Sequence, residues 1–213
     1  MDSIYGKCTQ YAEDNEYGWV MKAAKEEQVD ALHEIETEAF PADEAADLDG
    51  IRMRVAKANE FYQVITDENG KNIIGFVNGT LCHGRELHHD SMSEHLSSGK
   101  TLVIHSVTIA KEYRRKGWAT KMLNLYVERL RNGTIANKKV EYILLIAKAY
   151  LLEFYVNCGF HVRRLSPVIH GKDRWYELAY DVQQSRSPAK VPLCFFIPTL
   201  MLALNTVYRS RSC

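Results

Sequence analysis

Apolar and polar positions alternate along the chain with two different periods, and the changes of period divide the sequence into elements. Runs of β-branched and aromatic residues predict strands, and apolar residues that recur every three or four positions predict amphipathic helices. Helices are predicted in "EEQVDALHEIETEAF", ended by Pro41, in "ADEAADLDGIRMRVAKA", from about Thr120 to Arg131, and in "YLLEFYVNCGF". Strands are predicted in "GWVMKA", "FYQVIT", "NIIGFVNGTL", "TLVIHSVTIA", "VEYILLIA" and "RWYELAYDV", with one more near His161.

This order of elements predicts one α/β domain with a mixed, mostly antiparallel central sheet flanked by helices. Asn69-Gly70, between two strand patterns, is a strong hairpin signal. We expect an N-terminal extension over residues 1–17, the folded domain over 18–182, and a linker with an apolar tail over 183–213. The tail's apolar run, 192–204, is shorter than the about 20 residues of a membrane span. The tail can pack on the domain, bind a partner or have no role. Contact with a membrane is less favoured but stays open.

Charge and cysteine usage narrow the class of protein. The 27 basic and 27 acidic side chains cancel, which argues against a general nucleic-acid binder. The five cysteines lack metal-ligand spacing, and their odd number suits free thiols in a reducing compartment. The N-terminus lacks the apolar core of a signal peptide, so we expect a cytoplasmic protein. The histidine-rich stretch between Cys82 and Lys100 reads as a loop without consistent ligand spacing, and we assign no metal.

The segment "EYRRKGWATKML" joins the strongest predicted strand to a helix and brings cations and a glycine to the helix start. Backbone N–H groups and the helix dipole favour anions there, and Gly117 permits close backbone approach, so the segment can hold a pyrophosphate. A solvated basic turn is the plainer alternative. Neither the G-x-G-x-x-G nor the G-x-x-x-x-G-K-[ST] pattern is present.

Arg114-x-x-Gly117-x-Ala119 resembles the R/Q-x-x-G-x-G/A motif with which the GNAT acetyltransferase superfamily binds the pyrophosphate of acetyl-coenzyme A. The segments "HEIETEAFPADEAADL", "VIHSVTIAKEYRRKGWATKML" and "LLEFYVNCGF" are similar, in order and spacing, to those of the arylalkylamine N-acetyltransferases. "FPADEAA" is closer to their non-vertebrate branch. The resemblance covers roughly residues 18–182 and implies the GNAT fold.

The resemblance also implies how the cosubstrate, acetyl-coenzyme A, is held. Val107 and Ile109 would bind its acetyl and pantetheine portion through their main chain. The basic turn and the start of the following helix would surround the pyrophosphate, through Arg114, Arg115, Lys116, Gly117, Trp118, Ala119 and Thr120.

Catalytic roles follow from the same resemblance. His105 matches one of the two histidines of a proton relay, but Val103 stands at the other position, which puts a two-histidine relay in doubt. Tyr155 matches the tyrosine that protonates the leaving thiolate. Glu44 lies where insect dopamine-type enzymes carry a glutamate proposed as the base, and Phe40-Pro41 matches a mobile segment that closes over the amine.

Elementary chemistry supports these roles, although each residue also has a plainer explanation. A primary amine with a pKa near 10 must lose a proton before it attacks a thioester, so a base such as histidine or a buried carboxylate is needed. Strict alternation places His105 on one strand face with Val103, Val107 and Ile109, where a histidine can equally belong to the core. Tyr155 can simply pack, and Glu44 can favour a helix start.

The sequence therefore predicts an enzyme that transfers acetyl from acetyl-coenzyme A to a small arylalkylamine such as serotonin, tryptamine, tyramine or phenylethylamine. The expected partner is a small-molecule amine, and the protein is expected to be a monomer. Acetylation of a polyamine or a protein lysine on the same fold is an alternative, because a fold does not select its substrate. A non-catalytic coenzyme A-binding module is another.

Overall fold

The computed structural model describes residues 18–87, 94–135, 140–168 and 170–183. In this part of the chain a seven-stranded sheet is covered by four α-helices. The strands are β1 (Trp19–Ala23), β2 (Gln63–Asp67), β3 (Ile73–Cys82), β4 (Thr101–Ile109), β5 (Tyr142–Ala147), β6 (His161–Leu165) and β7 (Tyr176–Asp181). The helices are α1 (Val29–Ala39), α2 (Leu48–Lys57), α3 (Trp118–Arg131) and α4 (Leu152–Asn157).

The strands lie in the order β1-β2-β3-β4-β5-β7-β6. Neighbouring strands are antiparallel except β4 and β5, which are parallel. Helix α3 connects the parallel pair, as a crossover between parallel strands requires. The predicted α/β fold with a mixed, mostly antiparallel sheet is confirmed.

Two helix boundaries differ from the predictions. The helix predicted from Ala42 begins instead at Leu48, because Asp47 caps it by accepting a hydrogen bond from the Gly50 N–H at 2.7 Å. Before that cap the chain turns, with the Glu44 and Ala45 N–H groups both donating to the Pro41 carbonyl at 2.9 Å. Glu44 therefore lies on a connecting segment. Helix α3 begins at Trp118, slightly earlier than predicted.

The two faces of the sheet are built differently. On one face, α3 buries its apolar stripe, including Met122, Leu123 and Tyr126, in the largest apolar cluster. On the other face, α1 and α2 enclose a smaller cluster that includes Leu32 and Ile51. Each fully buried side chain of this size contributes about 1.5–3 kcal/mol relative to an exposed one. Beside this smaller cluster, the polar residues Glu36 and Ser106 are also buried.

A β-bulge interrupts β4 at its middle. Asn78 of β3 pairs with Ser106 and Gly79 pairs with Ile104, so His105 is an extra residue without a partner on β3. Such a bulge shifts the alternation of side chains by one position. His105 contacts Thr80 on the α1/α2 face, whereas Val107 and Ile109 pack in the cluster on the α3 face. The prediction that all three share a face is wrong.

The predicted N-terminal extension and almost all of the predicted tail lie outside the described residues. None of the helices described in the structure is long and apolar enough to cross a membrane.

Candidate active site

The parallel strands β4 and β5 separate halfway along β4. Their pairing runs from Thr101 opposite Tyr142 to Ile104 opposite Leu145 and goes no further. Beyond that point no described strand pairs with β4 on its β5 side. Residues 105–109 therefore have no strand partner on that side among the described residues, and their backbone, apart from the Ile109 carbonyl that accepts a hydrogen bond from Arg114, is available to an extended ligand.

His105 lies at this point of separation and is held on one side of its ring. Its Nε2 atom is 2.8 Å from the Thr80 hydroxyl, and its Nδ1 atom is buried without a hydrogen-bond partner. Burial lowers the pKa of His105 well below its ordinary value, and the nearby positive charges of Arg54 and His170 lower it further. The imidazole is therefore neutral near pH 7, with one ring nitrogen free for a ligand or a proton.

A buried carboxylate on α1, Glu36, contacts β4 next to the bulge. Glu36 of α1 accepts a hydrogen bond from the Ser106 hydroxyl at 2.8 Å and a longer one from the Thr108 hydroxyl at 3.4 Å. Burial raises the pKa of Glu36, and its hydrogen bonds and the charge of Arg54 only partly oppose that shift. These contacts fix the segment of β4 that follows the bulge.

Polar atoms without partners are concentrated on this face of the sheet. Asn78, directly opposite Ser106, is fully buried, and Arg54 projects from α2 beneath the same segment. Because buried polar atoms are nearly always hydrogen-bonded, such a concentration indicates a place for a polar ligand or water. The atoms are Glu44 Oε2, Arg54 Nε, Tyr62 Oη, Asn78 Oδ1 and His105 Nδ1.

Glu44 reaches the same region from the segment between α1 and α2. It is buried, and its Oε1 atom forms an ion pair with the Lys148 ammonium at 2.7 Å. Lys148 directly follows β5, and it also contacts Asp173 on the β6–β7 connection at 2.9 Å. Both carboxylates raise the pKa of Lys148, so this ammonium stays charged. Through Lys148, the three residues join three segments that are distant in sequence.

The β6–β7 connection closes around this ion pair. His170 Nε2 lies 3.0 Å from the Glu44 carbonyl oxygen, and the Trp175 ring lies 5.4 Å from the Lys148 ammonium. A side chain at Gly171 would come within 2.8 Å of Glu44 Cγ, so glycine allows the close approach. Because the charge of His170 acts on His105, the cluster lies close to the bulge of β4.

The basic turn has the geometry of an anion site. Gly117 is the N-cap of α3 with a φ of 76°, and Arg115 has a φ of 64°. No side chain caps α3, so the N–H groups of Trp118, Ala119 and Thr120 stand at an uncapped helix start. A helix of 14 residues presents a full dipole there.

The cations of this turn point in different directions. Arg114 turns back on β4, where its Nε donates to the Ile109 carbonyl at 2.8 Å while Nη2 is buried without a partner. Lys116 donates to the Glu112 carbonyl at 3.1 Å, and Arg115 is exposed. The exposed cation and the unused Arg114 nitrogen are both suited to an anion.

Tyr155 of α4 is a packed phenol. Its ring makes edge contacts with Phe154 and Phe160 at centroid distances of 4.8 and 5.9 Å. Burial raises the pKa of Tyr155, so the phenol keeps its proton across the physiological range.

Phe40 and Pro41 occupy the end of α1. Phe40 is the half-buried C-cap residue and Pro41 is exposed. Since the Pro41 carbonyl accepts the turn's hydrogen bond from Glu44, this element also sets the position of that carboxylate.

Several residues of the site were not found from the sequence. Glu36 had a readable signal, because it continues the buried helical stripe of Val29 and Leu32 with a carboxylate. Gly79, opposite the bulge, was a second signal, because an isolated glycine within a strand suggests a bulge. Lys148 and His170 had none, since only the tertiary fold brings them to Glu44.

The predicted absence of a metal concerns the histidine-rich loop. Within residues 18–87, 94–135, 140–168 and 170–183 no group of three metal-ligating side chains is found. His83 lies 3.2 Å from the Ser98 hydroxyl, and His95 accepts a hydrogen bond from the Leu81 N–H. His88 and His89 lie outside the described residues.

Comparison with known proteins identifies the family. Residues 18–160 match the model of the acetyltransferase (GNAT) family, and the chain belongs to that family. A search of curated proteins finds no match.

Solved structures share the fold at low sequence identity. The loading GNATL domain of CurA from Lyngbya majuscula is 16% identical with a TM-score of 0.66, over 78% of this chain and 98% of that one. The yncA protein from Salmonella typhimurium, solved with its cofactor acetyl-CoA, is 16% identical with a TM-score of 0.54, over 81% and 99%. A chimera of the spermidine N-acetyltransferase SpeG from Vibrio cholerae and hSSAT is 17% identical with a TM-score of 0.56, over 78% and 96%.

Proposed function

We propose that this protein transfers the acetyl group of acetyl-coenzyme A to the primary amine of a small arylalkylamine. The observation that carries the proposal is that two buried atoms without partners, His105 Nδ1 and Glu44 Oε2, belong to residues that His170 connects, since its ring lies 3.0 Å from the Glu44 carbonyl and its charge lowers the pKa of His105. Membership in the acetyltransferase family supports the reaction class. The arylalkylamine rests on the sequence resemblance around Phe40-Pro41.

The residues present fit acetyl-coenzyme A. The uncapped start of α3 and the exposed Arg115 suit its pyrophosphate, with Gly117 allowing the turn. The unpaired edge of β4 at Val107 and Ile109 suits its extended amide-containing arm. When bound, this cosubstrate supplies an acetyl group activated as a thioester. A backbone N–H of the β4 edge would stabilise the negative charge that develops on the carbonyl oxygen.

Proton transfers are assigned to three side chains. Glu44 Oε2 receives the ammonium of the incoming amine, since it is a buried anion with an unused oxygen. His105 Nδ1 takes one proton from this ammonium, while Nε2–H donates to Thr80, and passes the proton to solvent, so that the free amine can attack the carbonyl carbon. The nitrogen of the tetrahedral adduct loses its second proton as the C–S bond breaks, and this proton replaces the one given to the thiolate. Tyr155, protonated at neutral pH, donates to the leaving thiolate.

The test is a panel of amines at one pH, measured by release of free coenzyme A thiol. We expect tryptamine, tyramine and phenylethylamine to be used more efficiently than spermidine or a lysine peptide. Phe40→Ala should raise KM for tryptamine more than for a short aliphatic amine, because an aromatic contact adds about 0.5–1.5 kcal/mol beyond its buried area.

Other outcomes of the panel separate the alternatives. If spermidine or the lysine peptide is preferred, the arylalkylamine assignment is wrong while the acetyltransferase reaction stands. If acetyl-coenzyme A binds and no amine releases thiol, the chain is a coenzyme A-binding module.

A further inference from the structure

The cluster of Glu44, Lys148 and Asp173 contains a fixed cation beside the site to which we assign the amine. The Lys148 ammonium lies 2.7 Å from the Glu44 carboxylate and 2.9 Å from the Asp173 carboxylate, so the three groups together carry one net negative charge. Asp173 is largely exposed, whereas Glu44 and Lys148 are buried. A cation placed at a buried carboxylate acts on charged ligands more strongly than it would at the surface.

Glu44 is not fully used by this cation. Lys148 engages Oε1, and Oε2 is buried without a hydrogen-bond partner. A buried carboxylate oxygen without a partner is costly, and a single ammonium group would satisfy it. Glu44 Oε2 can thus bind one ligand ammonium. The Lys148 ammonium, which is always present, lies next to that position.

The position of the cluster connects it to the reacting strand. The Glu44 carbonyl lies 3.0 Å from His170, and His170 in turn is near enough to His105 to lower its pKa. Lys148 follows the end of β5, on the far side of the gap between β4 and β5. An amine that reaches His105 through this side therefore passes the Lys148 ammonium.

We infer that Lys148 is a selectivity residue that admits monoamines and disfavours polyamines. The inference rests on the proposed function, because it places the substrate amine against Glu44. A monoamine brings one ammonium, which Glu44 Oε2 neutralises. A polyamine brings further ammonium groups into the field of Lys148, and like charges within several ångströms repel each other strongly in a partly buried site.

The experiment compares kcat/KM for spermidine and for phenylethylamine in the full-length protein and its variants. Lys148→Met should raise the ratio of spermidine to phenylethylamine by about tenfold, since it removes the fixed cation. Lys148→Arg, which keeps the charge, should leave the ratio near that of the wild type. Asp173→Asn should lower the ratio, because it leaves Lys148 with one fewer counter-charge.

Two controls make the result interpretable. Lys172→Met removes an exposed cation from the same connection, outside the cluster, and should not change the ratio. Asp173 is exposed enough for its variant to fold, so the sign of its effect remains measurable if Lys148→Met is unstable.

Two results would overturn the inference. One is an unchanged ratio in a folded Lys148→Met, and the other is a raised ratio in Asp173→Asn. Variants that lose stability without changing the ratio would show that the cluster only holds the three segments together. The wild-type ranking of amines tests the proposed function, and the change of ranking tests Lys148, so the two can fail separately.

Discussion

At the scale of single residues, the central finding is that one extra residue in β4 determines which side chains can act together. The bulge places His105 with Ser106 on the α1/α2 face, and leaves Val107 on the α3 face. His105 is neutral and has one unused nitrogen, as a base requires. Glu44 already forms a tight ion pair through Oε1, so its carboxylate is better suited to bind an ammonium than to act as the base.

His105→Gln should lower kcat by about 100-fold or more at pH 7, within the range of a lost general base. The rate should recover partly at high pH, where more of the amine is already deprotonated. The measurement is thiol release at saturating amine from pH 6 to 10. Glu44→Gln is the matched comparison, and should mainly raise KM. If only the Glu44 variant loses kcat, His105 is a core histidine.

The same substitution should change how stability depends on pH. The pKa of His105 is depressed in the folded protein, so the unfolded chain binds this proton more tightly. Its contribution to stability is therefore complete above about pH 6.5 and is lost as pH falls toward the folded pKa. As pH falls through this range, the free energy of unfolding of His105→Gln should decrease less than that of the wild type. Denaturant titrations at several pH values measure this.

At the scale of elements, the sequence was informative wherever one period of hydrophobicity persisted. The strands, the hairpin at Asn69-Gly70 and the apolar stripe of α3 were all predictable. The bulge was missed, because it adds a single residue to an otherwise regular strand and its signal, Gly79, lies on the neighbouring strand. The start of α2 was mistaken because acidic and alanine residues favour a helix from Ala42, whereas the Asp47 cap sets the start at Leu48.

The start of α3 gives a prediction about Gly117. Its φ of 76° is strained for a β-branched residue, although a Cβ would meet no atom within 4 Å. Gly117→Val should therefore distort the turn and weaken acetyl-coenzyme A binding by about tenfold, or roughly 1.4 kcal/mol. Isothermal calorimetry on the purified variant measures this.

Gly133 offers a matched control at the other end of α3. It has the same φ of 76° and equally open surroundings. Gly133→Val should lower the melting temperature about as much as Gly117→Val does. It should leave the affinity for acetyl-coenzyme A unchanged. Equal affinities in both variants would remove the turn from the cosubstrate site.

At the scale of the whole molecule, the sheet separates an apolar face from a face with the polar site. The GNAT family match covers residues 18–160, and the last strand of the sheet, β7, ends at Asp181. Everything that we assign to the reaction lies before that point. The predicted division into a domain and a tail follows from the same boundary and stays a prediction.

Deletion from Gln184 onward should leave acetyl-coenzyme A affinity and kcat within about twofold of the full-length values. Solubility should rise, because an apolar segment is removed. Analytical gel filtration and the thiol assay on both proteins test this. A truncated chain that fails to fold would show that the tail completes the core.

The contact between His170 and the Glu44 carbonyl has a consequence for how the protein folds. These residues lie 126 positions apart, so forming the contact closes a long loop of chain at a cost in conformational entropy. The neighbouring β3–β4 ladder needs no such closure. We therefore expect the segment around Glu44 to form late and to open early, with its backbone amides exchanging with solvent faster than those of the central strands.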